Sequence, residues 1–246
     1  MTDLRLAILD LDGTVYRGSE PIPGVAETIE SLLSRGIAVR YLTNNSAARP
    51  VAVTEKLRAM GVTCEPDWVY GAGMAAAREC RRRGVESVFL VGEPGLDETF
   101  ADFRPGGDAV VVGICRRFSY ELMSTSMQLI RDGALFIATN RDATYPREFG
   151  RFEPGAGAMV AAIETCSGVE PIVIGKPEPR MILDVMAEAG AASAETLVVG
   201  DRLDTDIAAG ENAGCRTWLV LTGVETDLPQ GQPGSADLAG LLDAFD

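Results

Sequence analysis

The chain alternates between strand-like and helix-like segments along almost its whole length, and no other feature restricts its fold as much. Apolar, β-branched runs predict strands over residues 4–9, 37–42, 87–91, 109–114, 134–138, 171–174, 196–199 and 216–221. Helical periodicity between them predicts helices over residues 25–35, 50–60, 72–83, 120–131, 156–166, 179–189 and 205–213. This alternation indicates an α/β fold with helices on both faces of a mostly parallel sheet.

Glycines mark the ends of the predicted helices, where a left-handed residue ends a helix at little cost. They are Gly36, Gly61, Gly84, Gly133, Gly168, Gly190 and Gly214. Ligands of parallel α/β sheets bind at the carboxyl ends of the strands. We therefore expect the functional side chains directly after the predicted strands.

The charge of the chain excludes several kinds of function. The formal net charge is -14, and such a surface repels nucleic acid and anionic lipid, which both need a basic partner. No apolar run is long enough to predict a membrane span, and we expect no signal peptide before the first strand. A phosphate site on so acidic a protein must be built locally, from a metal, a lysine and backbone amides.

Histidine is absent, which excludes Ser-His-Asp and Cys-His mechanisms as well as histidine-ligated zinc. Acid–base chemistry must therefore use carboxylates, lysine or tyrosine. The five cysteines are scattered and form no C-x-x-C pattern. This favours reduced thiols in a cytoplasmic protein over a disulfide or zinc framework.

Two aspartates end the first predicted strand. Asp10 and Asp12 are two residues apart, so their side chains project to the same side of a strand. The two carboxylates repel each other unless a cation or a proton lies between them. The pair suits a metal site, or a nucleophile beside an acid–base group, but two acids in a solvated loop give the same pattern. Gly13 then allows a tight turn near a ligand.

Donor groups suited to phosphate follow two later strands. Thr43, Asn44 and Asn45 offer hydroxyl, amide and backbone N–H donors at the start of a helix, although a helix cap with an Asx-turn uses the same residue types. Lys176 lies between a strand and a helix, and lysine is rare in this chain. Its compact ammonium is the kind of cation that a phosphate site needs. The other lysine, Lys56, falls on an exposed helix and suggests no special role.

Three aspartates follow the strand at residues 196–199. Asp201 comes directly after Gly200 and should join the edge of the sheet that carries Asp10. Asp206 falls on the first turn of the next helix, where it would cap the helix, orient its neighbours or bind Lys176. For Asp204, helix capping is the favoured interpretation.

Taken in order, these stretches resemble the haloacid dehalogenase superfamily of phosphotransferases. Its pattern is D-x-D-G-T, then a Ser or Thr after the second strand, then a Lys, then G-D-x-x-x-x-D. The matching residues are Asp10, Asp12, Gly13, Thr14, Thr43, Lys176, Gly200, Asp201 and Asp206. The T-N-N-S run at Thr43 and the G-K-P-E-P run at Gly175 are similar to one branch, which contains NagD and the 4-nitrophenylphosphatases. This resemblance covers essentially the whole chain.

The resemblance implies a Rossmann-like core with an inserted α/β cap that governs substrate specificity. The core would comprise residues 1–83 and 174–246, and the cap residues 84–173. Relatives with this type of cap often pair through it, which allows a homodimer.

A loop at residues 139–147 of this cap would contact the leaving group. Tyr145, beside Pro146, lies where relatives place a selective residue, although covering the core of the cap is an equal alternative. Arg141 and Arg147 could add charge for an anionic leaving group, although the favoured interpretation is that neither does so. In that case Asn140 and Asp142 only shape a turn.

The resemblance also implies a mechanism that uses Mg²⁺. Asp10 would be the nucleophile and carry a phospho-aspartate, and Asp12 would serve as general acid and then as general base. The metal ligands would be the side chains of Asp10 and Asp201 and the main-chain carbonyl of Asp12.

The phosphate oxygens would be bound by Thr43, Asn44, Asn45 and Lys176. Asp206 would not contact the phosphate but would hold the residues that do. The substrates would be small phosphomonoesters, such as nucleoside monophosphates, phosphoglycolate, glycerol phosphate or sugar phosphates. One alternative is a non-catalytic or regulatory phosphate- or nucleotide-binding protein with the same fold. A response-regulator-like receiver domain would be about half as long, and no G-x-G-x-x-G supports a dehydrogenase.

Overall fold

A computed structural model describes residues 3–47, 49–146 and 151–245, without the side chains of residues 145 and 146. The strands in these ranges are Leu6–Asp10 (β1), Tyr16–Arg17 (β2), Glu20–Pro21 (β3), Ala38–Thr43 (β4), Val69–Gly71 (β5), Ser87–Val91 (β6), Arg104–Pro105 (β7), Ala109–Val112 (β8), Leu135–Ala138 (β9), Thr144–Pro146 (β10), Phe152–Pro154 (β11), Ile172–Val173 (β12), Thr196–Gly200 (β13), Arg216–Val220 (β14) and Gly234–Ser235 (β15).

The α-helices in the same ranges are Val25–Ser34 (α1), Pro50–Ala59 (α2), Ala72–Arg82 (α3), Pro94–Thr99 (α4), Tyr120–Arg131 (α5), Ala156–Ser167 (α6), Arg180–Ala189 (α7) and Ala208–Asn212 (α8). Short 3₁₀-helical segments cover Pro66–Trp68, Ser193–Glu195 and Leu238–Phe245, and a π-helical turn covers Leu203–Ile207. In the described part of the chain, no helix is long and apolar enough to cross a bilayer.

The chain divides into two compact units. The first unit comprises Met1–Thr43, Pro50–Tyr70 and Lys176–Asp246, and the second comprises Asn44–Arg49 and Gly71–Gly175. The second unit is therefore inserted into the sequence of the first.

The first unit is built on a six-stranded sheet with the order β15-β14-β13-β1-β4-β5. Strand β1 runs parallel to β13 on one side and to β4 on the other. Its residues Leu6, Ala7, Ile8 and Leu9 are fully buried, as is typical of a parallel strand that is covered on both faces. This continuous apolar run brings the polar residues that follow it to the edge of the sheet.

The second unit contains its own five-stranded sheet, with the order β12-β9-β8-β6-β7 and parallel pairing throughout the described strands. Its core is a cluster of buried side chains from the sheet and from α5 and α6. The cluster consists of Val91, Val110, Val112, Cys115, Ile130, Phe136, Ala138, Val160 and Ile163. The predicted α/β class with parallel sheets is therefore confirmed.

The predicted elements agree with this structure in most places. All seven glycines predicted to follow helices have positive φ angles, between 62° and 106°. The helix predicted over residues 205–213 differs in form, because it begins with the π-helical turn before continuing as α8. Short strands such as β2, β3 and β5 are too brief to show periodicity, and the sequence did not predict them.

Candidate active site

The carboxyl ends of three strands of the first unit carry the central residues of the candidate site. Asp10 ends β1, Thr43 ends the neighbouring β4, and Asp201 directly follows β13 on the other side. Because these strands are parallel and adjacent, their carboxyl ends lie at the same edge of the sheet. Asp201 and Thr43 are buried, and Asp10 is partly buried.

Lys176 lies among these acids with only 4% of its side chain exposed. Its Nζ forms ion pairs with Asp10 Oδ1 and, at 2.6 Å, with Asp206 Oδ1. Burial alone would lower the pKa of Lys176, but the charges of Asp10 and Asp206 and their hydrogen bonds outweigh it and raise the pKa. Lys176 therefore remains a buried ammonium at neutral pH.

One lysine does not balance the acids of this site. Burial raises the pKa of Asp10, and the charges of Asp206 and Asp201 raise it further, although Lys176 opposes the shift. Burial and the charge of Asp206 likewise raise the pKa of Asp201 to about 6, against the hydrogen bond from Val224 and the charge of Lys176. Two acids that are held this close favour either a proton or a second cation.

The same three carboxylates form a group that could hold a metal ion. One oxygen each from Asp10, Asp201 and Asp206 lies within 4.8 Å of the others. A set of oxygen donors suits a hard divalent cation such as Mg²⁺ and does not suit a soft metal. Such an ion would supply the positive charge that Lys176 alone cannot.

Asp206 is held in place by an unusual local backbone. It lies in the π-helical turn, where the N–H groups of Asp206 and Ile207 both donate to the carbonyl of Arg202 at 3.1 Å. Its Oδ2 accepts a hydrogen bond from the backbone N–H of Arg202 at 3.2 Å, while Oδ1 faces Lys176. Of the three roles considered for Asp206, the structure therefore shows the binding of Lys176. Single π-helical turns are often found at functional sites.

Asp204 lies apart from this group. Its side chain is mostly exposed, and its carboxylate accepts two hydrogen bonds from the Arg202 guanidinium, at 3.0 and 2.8 Å. The turn that it belongs to has no side-chain cap. The interpretation of Asp204 as a helix cap is therefore wrong.

Asp12 lies just past β1 in a tight turn. Gly13, with a φ angle of 90°, donates to the carbonyl of Tyr16 at 2.8 Å. A Cβ on Gly13 would lie only 2.5 Å from Asp201 Oδ2, so this turn requires glycine for space as well as for conformation. The Asp12 side chain reaches solvent, yet the protein atoms around it bury it enough to raise its pKa.

Lys56 is a residue of this region that the sequence did not single out. Its Nζ lies 3.4 Å from the centroid of the buried Tyr16 ring, as in a cation–π contact. The charge of Lys56 acts to lower the pKa of Asp12, as do Lys176 and a hydrogen bond from Tyr16. The scarcity of lysine is the only sequence signal that could have identified Lys56.

Asn44 and Asn45 follow β4 and group with the second unit. Asn44 Nδ2 donates to Asp142 Oδ2 at 3.2 Å, and the Asn44 carbonyl accepts from Asn140 Nδ2 at 2.7 Å. Asn45 Oδ1 accepts from the backbone N–H of Ala47 at 3.0 Å, which is the Asx-turn considered for this stretch. Their predicted contacts with phosphate stay predictions.

The loop predicted to select the leaving group is only partly described. The backbone of Tyr145 belongs to β10 and pairs with Glu153 of β11, but its side chain lies outside the described atoms. Arg147 also lies outside the described residues. Arg141 forms an ion pair with Glu164 at 2.8 Å, and its role toward a leaving group is untested.

Comparison with known proteins agrees with this site. Residues 7–104 match the family model described as haloacid dehalogenase-like hydrolase, and residues 173–239 match a second HAD-hydrolase-like model. The acid sugar phosphatase of Staphylococcus epidermidis is 38% identical over 233 residues, which cover 92% of this chain and 90% of the relative.

Two solved structures are similar over nearly the whole chain. The 4-nitrophenylphosphatase of Thermotoga maritima has a TM-score of 0.92 and 32% identity, covering 100% of this chain and 98% of the other. The glycerol phosphate phosphatase of Mycobacterium tuberculosis, in complex with magnesium, has a TM-score of 0.86 and 32% identity, covering 97% and 77%.

The chain belongs to the haloacid dehalogenase-like hydrolase family. The predicted family, its 4-nitrophenylphosphatase-like branch and the core with an inserted α/β cap are confirmed. The predicted enzyme class, a phosphoric monoester hydrolase, is confirmed as well. A response-regulator-like receiver domain is thereby excluded.

Gly200 tests the link between the backbone and the acid group. A Cβ at this position would overlap the Asp206 side chain, so Gly200→Ala should displace Asp206 from Lys176. We expect a loss of about 1–3 kcal/mol in the free energy of unfolding and a large fall in kcat. Thermal melts and steady-state kinetics would measure both effects.

Gly107→Ala is the matched control, because its Cβ would meet only the flexible end of Leu129 in the second unit. That variant should keep its activity. Full activity in Gly200→Ala would show that the position of Asp206 does not matter.

Proposed function

We propose that the protein is a magnesium-dependent phosphatase that hydrolyses small phosphomonoesters through a phospho-aspartate on Asp10. The observation that best supports this mechanism is the charge balance of the site. Three carboxylates, from Asp10, Asp201 and Asp206, share the single buried ammonium of Lys176. Such a site is too negative to accept a phosphate until a divalent cation joins it.

In this proposal the side chains of Asp10 and Asp201 hold Mg²⁺, together with the main-chain carbonyl of Asp12. When bound, Mg²⁺ supplies positive charge that offsets both the carboxylates and the phosphate oxygens. The oxygen-only donor set supports this choice of metal, as does the similar glycerol phosphate phosphatase in complex with magnesium.

In the first half of the reaction, one Asp10 oxygen attacks the phosphorus atom of the ester. The bond between phosphorus and the leaving oxygen breaks, and the Asp12 carboxyl donates its proton to that oxygen. The raised pKa of Asp12 supports this role, because it favours the protonated form that a general acid needs.

In the second half, Asp12 accepts a proton from a water molecule, whose oxygen attacks the phosphorus atom. The bond between phosphorus and the Asp10 oxygen then breaks, which releases inorganic phosphate and restores the Asp10 carboxylate and the protonated Asp12 carboxyl. Lys176, Thr43, Asn44 and Asn45 bind the phosphate oxygens in both halves.

The second unit, which includes the predicted cap at residues 84–173, would select the leaving group, with Tyr145 among its contacts. Sugar phosphates and glycerol phosphate are the first esters to consider, because similar proteins are phosphatases of that description. Nucleoside monophosphates and phosphoglycolate belong to the same chemical class. A cytoplasmic location, supported by five free cysteines, and a homodimer through the cap complete the proposal.

Replacing the two mechanistic aspartates tests the reaction directly. Asp10→Asn should abolish phosphate release from 4-nitrophenyl phosphate, because no nucleophile remains. Its melting temperature should change little, because Asp206 still pairs with Lys176. Asp12→Asn should lose about 10²-fold or more of kcat and accumulate phospho-enzyme, which acid quenching would detect.

The exposed Asp204 provides the control for these variants, and Asp204→Asn should keep near-parental turnover. If purified Asp10→Asn turned over normally, the phospho-aspartate mechanism would have to be abandoned.

Metal removal gives a second test. EDTA should abolish activity and lower the melting temperature, because the acids of the site then repel one another. Mg²⁺ should restore both, whereas Ca²⁺ should restore little activity, since it takes more ligands at longer distances. Normal turnover in EDTA would contradict a metal-dependent mechanism.

Lys56 provides a third test, of the charge near Asp12. Lys56→Met should keep the fold and lower kcat about fivefold, which corresponds to ~1 kcal/mol, while KM changes little. The reason is that the charge of Lys56 favours the Asp12 carboxylate, which must form when Asp12 gives its proton to the leaving oxygen. Lys56→Arg should keep more of the activity, because it retains the charge over Tyr16.

The control is Arg58→Met on the same helix, because Arg58 pairs with the exposed Glu65 at 2.5 Å. Equal loss of kcat in Lys56→Met and Arg58→Met would mean that the charge of Lys56 has no specific role.

A further inference from the structure

The residues that follow Thr43 are fixed by the second unit. We call residues 44–47 the crossover segment, because Thr43 ends β4 of the first unit while Asn44 already groups with the second. The segment therefore begins one residue after a predicted phosphate ligand and itself contains two others, Asn44 and Asn45. Contacts that hold the crossover segment in place therefore also position the predicted phosphate-binding groups of Asn44 and Asn45.

Two polar side chains of the loop after β9 bind the crossover segment. Asn140 Nδ2 donates to the Asn44 carbonyl at 2.7 Å, and the Asn44 side chain donates to Asp142 Oδ2 at 3.2 Å. Asn140 Oδ1 also accepts from the backbone N–H of Asp142 at 3.0 Å. Asn44 is thus held through both its main chain and its side chain, while the loop residues hold each other. Asn140 is buried, which strengthens its contacts.

Four glycines of the second unit leave space for the crossover segment. A Cβ on Gly95 would overlap the Ala47 carbonyl, and one on Gly113 would overlap the Ser46 hydroxyl. A Cβ on Gly175 would lie 2.5 Å from Asn44 Oδ1, and one on Gly73 would lie 3.3 Å from the Ser46 carbonyl. The segment is therefore in close contact with the second unit along its length.

Gly175, which directly precedes Lys176, is also bound by the loop after β9. Its N–H donates to the Thr139 carbonyl at 2.8 Å, directly before Asn140. The chain then returns to the first unit with Lys176. Asn44 and Gly175, which begin and end the second unit in the sequence, are consequently both bound by the residues that directly follow β9.

We propose that Asn140 and Asp142 are positioning residues that hold the crossover segment for phosphate binding, and that they do not contact the leaving group. This inference rests on the proposed function, in which Asn44 and its neighbours bind the phosphate. Phosphate is common to all the esters, so the effect of these two residues extends equally to every substrate. A residue that touched the leaving group would instead distinguish one ester from another.

The test compares Asn140→Asp with the parent protein. The substitution keeps the size of the side chain and its acceptor for Asp142 but replaces the donor to the Asn44 carbonyl with a repelling oxygen. In titration calorimetry with Mg²⁺, inorganic phosphate should bind about tenfold more weakly. KM should rise by the same factor for 4-nitrophenyl phosphate, glycerol phosphate and a sugar phosphate, while kcat changes less than twofold.

Asp142→Ala is the second variant, and it should show the same pattern more weakly, since the Asp142 carboxylate binds the Asn44 side chain at the longer distance of 3.2 Å. The matched controls are Gln128→Glu and Asp132→Ala, which make similar changes at exposed positions of the same unit. Both should bind phosphate as the parent does. The rise in melting temperature on adding Mg²⁺ should be the same in all variants, because the metal ligands are untouched.

Unchanged phosphate binding in both variants would overturn the inference, as would a KM that rises for one ester only. These results are distinct from a failure of the proposed function, which Asp10→Asn would reveal by retaining activity. The calorimetric titration does not depend on turnover, so it tests the positioning role in either case.

Discussion

The balance of charge around Lys176 is the constraint on which the rest of the site depends. A buried ammonium costs several kcal/mol unless acids pair with it. Here Asp10 and Asp206 supply the pairing, and Asp201 adds a further negative charge nearby. The site is therefore stable around the lysine but remains short of positive charge, which is the condition that a divalent cation and a phosphate together satisfy.

The backbone around Lys176 and its acidic neighbours makes this balance of charge possible. Gly200 leaves space for Asp206, and Gly13 leaves space for Asp201. The π-helical turn directs one oxygen of Asp206 to Lys176 and the other to the backbone of Arg202. Two glycines and an irregular helix thus leave room for the carboxylates of Asp10, Asp201 and Asp206 to lie close to one another.

The sequence predicted the central strands and their acids because a long apolar run followed by Asp or Thr is a local pattern. It did not predict the position of Lys56 over the Tyr16 ring, because a lysine on a helix looks the same in sequence whether it faces solvent or an aromatic ring. Nor could it predict that residues 44–47 belong with the second unit. That assignment depends on hydrogen bonds from Asn140 and on space left by glycines, all distant in sequence. The motif T-N-N-S appears continuous in the sequence, although the structure divides it between two units.

The strand order of the first unit has a consequence for synthesis of the chain. Strand β1 is central in the sheet, yet its neighbour β13 is encoded after the entire second unit, and Asp10 is 166 residues from Lys176. On the ribosome, one edge of an almost wholly apolar strand therefore stays unpaired while the inserted unit is made and folds. The second unit, with its own parallel sheet, can become compact first, so the emerging chain would carry a folded insert on an unfinished, aggregation-prone host.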